Sequence, residues 1–123
     1  MRSILTLLLL AGLASLASAP VKAQQATPDG KATFEVLCAS CHSVSPPAKT
    51  APPMTHVIRH YRQAFATDSA GIEAIVRWVQ APAAEHSKMP AHAIERFGLM
   101  PAFPLPEEQL RAVARYVWTL TDG

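Results

Sequence analysis

The chain predicts an all-α domain, and three observations carry that prediction. Apolar residues recur at helical spacing in four separate stretches. No stretch alternates apolar and polar residues convincingly enough to be a strand. Prolines punctuate the regions between, with nine of the eleven lying from Pro46 to Pro106. We expect about four helices joined by proline-rich loops. The 123 residues suffice for one domain and not for two.

Arg2, an apolar run from Ile4 to Leu16 and a stretch of small residues open the chain. This is the pattern of an export signal, with Val21-Lys22-Ala23 as the cleavage site. We assign residues 1–23 to the signal peptide and 24–123 to the mature domain, cut after Ala23 and destined for the periplasm. The run is shorter than the ~20 apolar residues of a membrane span, so no stable membrane insertion is expected after cleavage. Removing Arg2 and Lys22 leaves nine basic residues against nine acids, a formal charge of zero. Nothing in that balance favours nucleic acid or an anionic membrane as a partner.

In the first helix, Thr27-Pro28-Asp29 supplies a capping hydroxyl, a proline for the first helical position and an acid for the first turn. Phe34, Leu37, Cys38 and Cys41 follow as one apolar stripe. Residues 43–53 read as loop. A second stripe comprises Met54, Val57, Ile58, Tyr61 and Phe65. Asp68 is placed to cap a third helix, striped by Ile72, Ile75, Val76 and Val79 and stopped by Pro82. Residues 83–106 show no sustained period. The last helix opens at Pro106, with Glu107 and Glu108 in its first turn and Leu110, Val113, Ala114, Val117 and Leu120 on its inner face.

Such a domain buries only a modest core and would gain from a cofactor, a metal or disulfides. Cys38-Ala39-Ser40-Cys41-His42 decides among these. C-x-x-C-H is the attachment signature of c-type haem. Two thiols three apart on a helical turn reach both vinyl groups of the porphyrin, and the next residue projects an imidazole to the iron. Three other readings remain: a thioredoxin-like dithiol, which wants a βαβ setting; a structural disulfide, which over so short a loop stabilises little; and a zinc site, which usually wants four Cys/His ligands.

With these residues in place, the sequence resembles the class I monohaem cytochromes c over nearly the whole mature chain. Gly30, Phe34, Cys38, Cys41 and His42 match the family's G-x-x-x-F-x-x-x-C-x-x-C-H run. Tyr116 matches the aromatic of the last helix, which packs on that glycine and phenylalanine in the family. Ala51-Pro52-Pro53-Met54 resembles the family's Gly-Pro-x-Leu loop, with alanine in place of glycine. The resemblance implies one covalent haem c, with Cys38 and Cys41 as thioether anchors and His42 as the proximal iron ligand. It also implies that the Pro52 carbonyl orients that imidazole. Pro106 departs from the family by standing where a capping hydroxyl is usual.

The resemblance gives the distal ligand as Met100, in a Met-Pro pair sixteen residues ahead of Tyr116. Met89 is the alternative, because Trp78-x-x-x-Pro82 followed by Lys88-Met89-Pro90 resembles other members of the class. His56, His60, His86 and His92 are further candidates for a bis-histidine site, or simply polar surface. Met54 reads as core, and Trp78 is a candidate contact for a haem propionate or amphipathic packing. Lys31, Lys49, Lys88, Arg59 and Arg62 either ring an exposed haem edge or are solvated surface.

The expectation is an electron carrier and not an enzyme, docking transiently with redox proteins as donor and acceptor. Two alternatives are an electron-transfer subunit of a larger exported oxidoreductase, and a haem enzyme or sensor with an open iron site.

Overall fold

The computed structural model describes residues 26–122, so the expected signal peptide and its cleavage site at Ala23 lie outside the described residues. The described residues form five α-helices and no strand. α1 (Gly30–Thr33) runs directly into a π-turn (Phe34–Cys38). α2 (Met54–Ala64) and α3 (Asp68–Gln80) follow, then a 3₁₀ turn (Ala84–His86), α4 (Ala91–Phe97) and α5 (Glu107–Trp118). The all-α prediction holds, with one helix more than expected, since α4 lies in the stretch that showed no period.

α1 begins at Asp29, not at Thr27. The Asp29 carboxylate accepts from the amides of Lys31 at 2.9 Å and Ala32 at 3.1 Å, a capping role for an acid expected inside the first turn. The same shift occurs at α3, where the Thr67 hydroxyl accepts from the Ala70 amide at 3.2 Å and Asp68 becomes the first helical residue. In both cases a short polar side chain one or two residues away competes for the same free amides. α5 starts after Pro106, which makes no side-chain cap. The last helix thus forms without a capping hydroxyl.

The core is the junction of α1, α3 and α5. Phe34, Leu110 and Ala114 are essentially sealed from solvent, and Ile58 and Tyr61 of α2 close the layer from the other side. Two glycines set how closely the helices approach. A Cβ on Gly30 would collide with the backbone of Ala112 in α5, so α1 and α5 cross with backbone nearly touching backbone. The Phe34 and Tyr116 rings then meet beside the crossing, 5.6 Å between centroids and tilted by 53°, a favoured aromatic geometry. This is the contact the family resemblance implies for Gly30, Phe34 and Tyr116. A Cβ on Gly71 would collide with the indole ring of Trp118, which fixes α3 on α5 by a contact the sequence reading did not anticipate. Arg111 reinforces that pair, bonding Glu107 on its own helix and Glu73 on α3.

Candidate functional site

The π-turn places the cysteine motif. The Ala39 amide reaches back five residues to the Phe34 carbonyl at 2.9 Å, the wider loop of a π-turn. Normal turn bonds follow, from Cys41 and His42 to the Cys38 carbonyl at 3.1 and 2.9 Å. One extra residue therefore enters the helix between the buried Phe34 and the motif. The stripe expected through Phe34, Leu37, Cys38 and Cys41 passes from the core to a cavity that Leu37, Cys38 and Cys41 line. Phe34 is 1% exposed, Cys38 is half-buried and Cys41 is exposed.

Residues 43–53 are loop, as the proline pattern predicts, but the loop is tied back onto the motif. The Ala51 amide donates to the Cys41 carbonyl at 3.0 Å, and Met54 donates to Ser43 at 2.8 Å. Lys49 reaches the Ala39 carbonyl with its ammonium at 2.5 Å. This return brings the Pro52 carbonyl to His42, whose Nδ1–H donates to it at 2.8 Å. The bond fixes the ring and its tautomer, leaving Nε2 as the free donor atom. Burial holds the His42 imidazole below the usual histidine range, opposed by the bond to Pro52. A neutral ring is the form that ligates a metal.

Cys38, Cys41 and His42 all line one cavity of about 380 Å³. Its walls are chiefly aliphatic and aromatic: Ile58 and Tyr61 from α2, Ile75 and Val79 from α3, Ala114 and Val117 from α5. Tyr61 is 3% exposed, and burial pushes its phenol up to about 12, so it stays a neutral hydroxyl. α4 supplies the remaining wall through Ala93, Ile94 and Phe97. No sequence signal reported α4 because its seven residues give too little period to see above the flanking prolines.

The cavity gathers most of the residues picked from the sequence. Met54 is buried and lines it, as do Pro52 and Trp78. Met89 and Met100 both line it and are both half-buried. Of the five candidate cations, Lys88 lines the cavity; Lys31, Lys49, Arg59 and Arg62 do not. Arg59 instead pairs with Asp122 at 2.9 Å, and Arg62 donates to the Trp118 carbonyl at 2.5 Å. His56, His60, His86 and His92 also lie outside the cavity lining. Among the described residues no group of three or more His, Cys, Asp or Glu side chains forms a metal-binding cluster. That arrangement gives no support to the zinc reading or the bis-histidine alternative.

The two thiols are unpaired and differ in character. Burial raises the Cys38 thiol above its ordinary range, helped by the charge of Cys41. Hydroxyls of Thr50 and Ser40 lower the Cys41 thiol, with a smaller contribution from Lys49. The donor set suits a haem: two free thiols, one oriented imidazole and thioether sulfurs around an apolar cavity. A family model described as cytochrome c oxidase, cbb3-type, subunit III matches residues 25–117. The chain belongs to this family. It is thus a c-type cytochrome domain, its cofactor is a covalently held haem c, and its activity is electron transfer with redox partners or within an oxidase complex. No curated protein and no solved structure matches the chain.

Proposed function

We propose that this cytochrome is a periplasmic single-electron carrier, exported by residues 1–23 and cut after Ala23. His42 and Met100 would hold its iron. Cys38 and Cys41 form the thioether bonds, and the Pro52 carbonyl orients the proximal imidazole. The observation that carries this reading is the His42–Pro52 hydrogen bond at the edge of a cavity lined by both thiols and both loop methionines. Bound there, haem c supplies one iron that accepts and releases a single electron.

The chain's own residues do the rest. His42 and the Met100 thioether would hold the iron, a donor pair that favours the ferrous state and suits electron transfer over oxygen chemistry. The aliphatic wall excludes water and so favours the less charged state of the iron centre. Trp78, Ser87 and Lys88 contribute polar atoms to a mainly apolar lining, as do Thr50 and Tyr61. The first three are the candidates to meet the propionates, with Trp78 donating through its indole.

The family match favours a second reading beside the free carrier, in which the domain is an electron-transfer subunit of an oxidase assembly. Among the described residues no helix is long and apolar enough to cross a membrane. Co-purification from the native membrane separates the two readings. The central test is an absorption spectrum of the exported protein. Haem absorption that survives denaturation, together with the near-infrared band of a Met-ligated ferric haem, supports the proposal. Haem lost on denaturation overturns the covalent link. Rapid carbon monoxide binding to the ferrous protein at neutral pH favours an open iron site and overturns stable Met ligation.

A further inference from the structure

α2 is a basic helix. Its eleven residues include Arg59, Arg62 and two histidines, with no aspartate or glutamate. Thr55, Arg59 and Arg62 follow one another at four and three residues, so they share one stripe of the helix. That stripe meets the end of the chain, where it forms a groove with Leu120, Thr121 and Asp122. Ile58 is the single residue that lines both this groove and the haem cavity. The groove is therefore a separate place on the molecule.

Its lining is chemically uneven. Thr55 and Ile58 are 2% and 1% exposed and form the floor. The Thr55 hydroxyl is buried with no hydrogen-bond partner among the described residues. Burying a polar group in that way costs stability. At the rim, both guanidiniums are only partly engaged. Arg59 donates to the Asp122 carboxylate at 2.9 Å, and Arg62 donates to the Trp118 carbonyl at 2.5 Å. Each bond uses one of the five donors a guanidinium carries. Arg62 also lies 5.1 Å from the centroid of the Trp118 ring, a contact that holds its head in place. Arg59 and Asp122 are 49% and 42% exposed, and ion pairs so exposed contribute little and part readily.

We propose that this groove binds a small tetrahedral oxyanion of the phosphate or sulfate class, gripped by Arg59 and Arg62, with the Thr55 hydroxyl donating at its base. The Asp122 carboxylate stands in for that anion on Arg59 and leaves when it enters. The stoichiometry of donors decides the class. A carboxylate offers two oxygens, enough for one guanidinium, whereas a tetrahedral dianion offers acceptors to two guanidiniums and a hydroxyl together. Binding is non-covalent, with no proton or electron transferred, and it frees the end of the chain from α2. The inference holds whichever residue ligates the iron.

The test titrates inorganic phosphate into the exported, haem-loaded chain by calorimetry, at neutral pH and an ionic strength fixed with chloride. Wild type, T55V, R59Q and D122N are compared. Wild type should bind one phosphate per chain. T55V and R59Q should each weaken binding about tenfold, the loss of one hydrogen bond to a charged group. D122N should tighten it, because the competing carboxylate is gone. Thermal melts give a second readout. Without phosphate, T55V should melt no lower than wild type, since the hydroxyl it removes has no partner. With phosphate, wild type should gain more than T55V. A T55V that melts lower without phosphate shows the hydroxyl bonded within the fold and overturns the proposal. No heat from wild type or D122N at millimolar phosphate overturns it too, whether or not phosphatidylglycerol vesicles bind the chain. Equal affinity in all four proteins identifies diffuse attraction to a basic helix and overturns the site.

Discussion

The Nδ1–H of His42 donates to the Pro52 carbonyl at 2.8 Å across a ten-residue loop. The acceptor is backbone, so any residue at position 52 offers it. What proline adds is a restricted unfolded chain and a loop preset to return. We therefore expect Pro52→Ala to cost roughly 0.4–1 kcal/mol of stability while the visible spectrum stays that of wild type. Urea unfolding beside an absorption scan checks this. A changed spectrum would show that the ring needs more than the carbonyl to hold its orientation.

The thiols of the motif differ in exposure and acidity. Cys41 is exposed and lowered by neighbouring hydroxyls, whereas Cys38 is half-buried and raised by burial. The thiolate is the reactive form. In haem-free protein, iodoacetamide should modify Cys41 before Cys38 at neutral pH, read by peptide mass mapping over time. In haem-loaded protein neither should react, because both sulfurs are thioethers under the proposed attachment.

Gly30 admits the backbone of α5 and Gly71 admits the Trp118 ring of the same helix. Alanine at either position collides, at Gly30 with the Ala112 backbone and at Gly71 with the Trp118 ring. Overpacking of this kind costs roughly 1–3 kcal/mol, and both variants should unfold at lower denaturant with an unchanged slope. Phe34→Ala, at a position 1% exposed, should cost more, about 3–5 kcal/mol. Equal stability of Gly71→Ala and wild type would show that the indole moves aside freely.

His60 lies below the usual histidine range because of partial burial, then the charges of Arg59, His56 and His92. A histidine depressed in the folded state binds its proton more readily when unfolded. Its contribution is therefore complete above about pH 6.5 and is lost as the pH falls through the lower folded value. His60→Gln should flatten part of the acid-side decline in stability, with no change above neutrality. The effect is small, since the ring is largely solvated. Thermal melts between pH 5 and 8 measure it.

Much of the site was legible because its chemistry is local. Cys38, Cys41 and His42 are adjacent in sequence, and a turn is enough to bring them together. α2, α3, α5 and the segment that runs from α1 into the motif announced themselves through apolar faces repeated for two to three turns. The rest depended on competition or on distance. Asp29 and Thr67 won their caps from neighbours of similar chemistry. α4 has one buried residue, Ala93, so its face left no stripe to read. Gly71 gave no signal because a glycine records only what approaches it, and Trp118 comes from forty-seven residues away.

The sequence by itself determined that this is a helical c-type cytochrome. The evidence was a motif of five consecutive residues and helical periods that any fold must bury on one side. The tertiary structure alone decided the shape of the cavity those residues serve. It inserted a π-turn between Phe34 and the motif, folded residues 43–53 back so that Pro52 meets His42, and set α4 as a wall with a methionine at each end. Those outcomes follow from backbone bonds and packing between distant segments, which bring Met89 and Met100, the two distal candidates of the sequence, to one cavity.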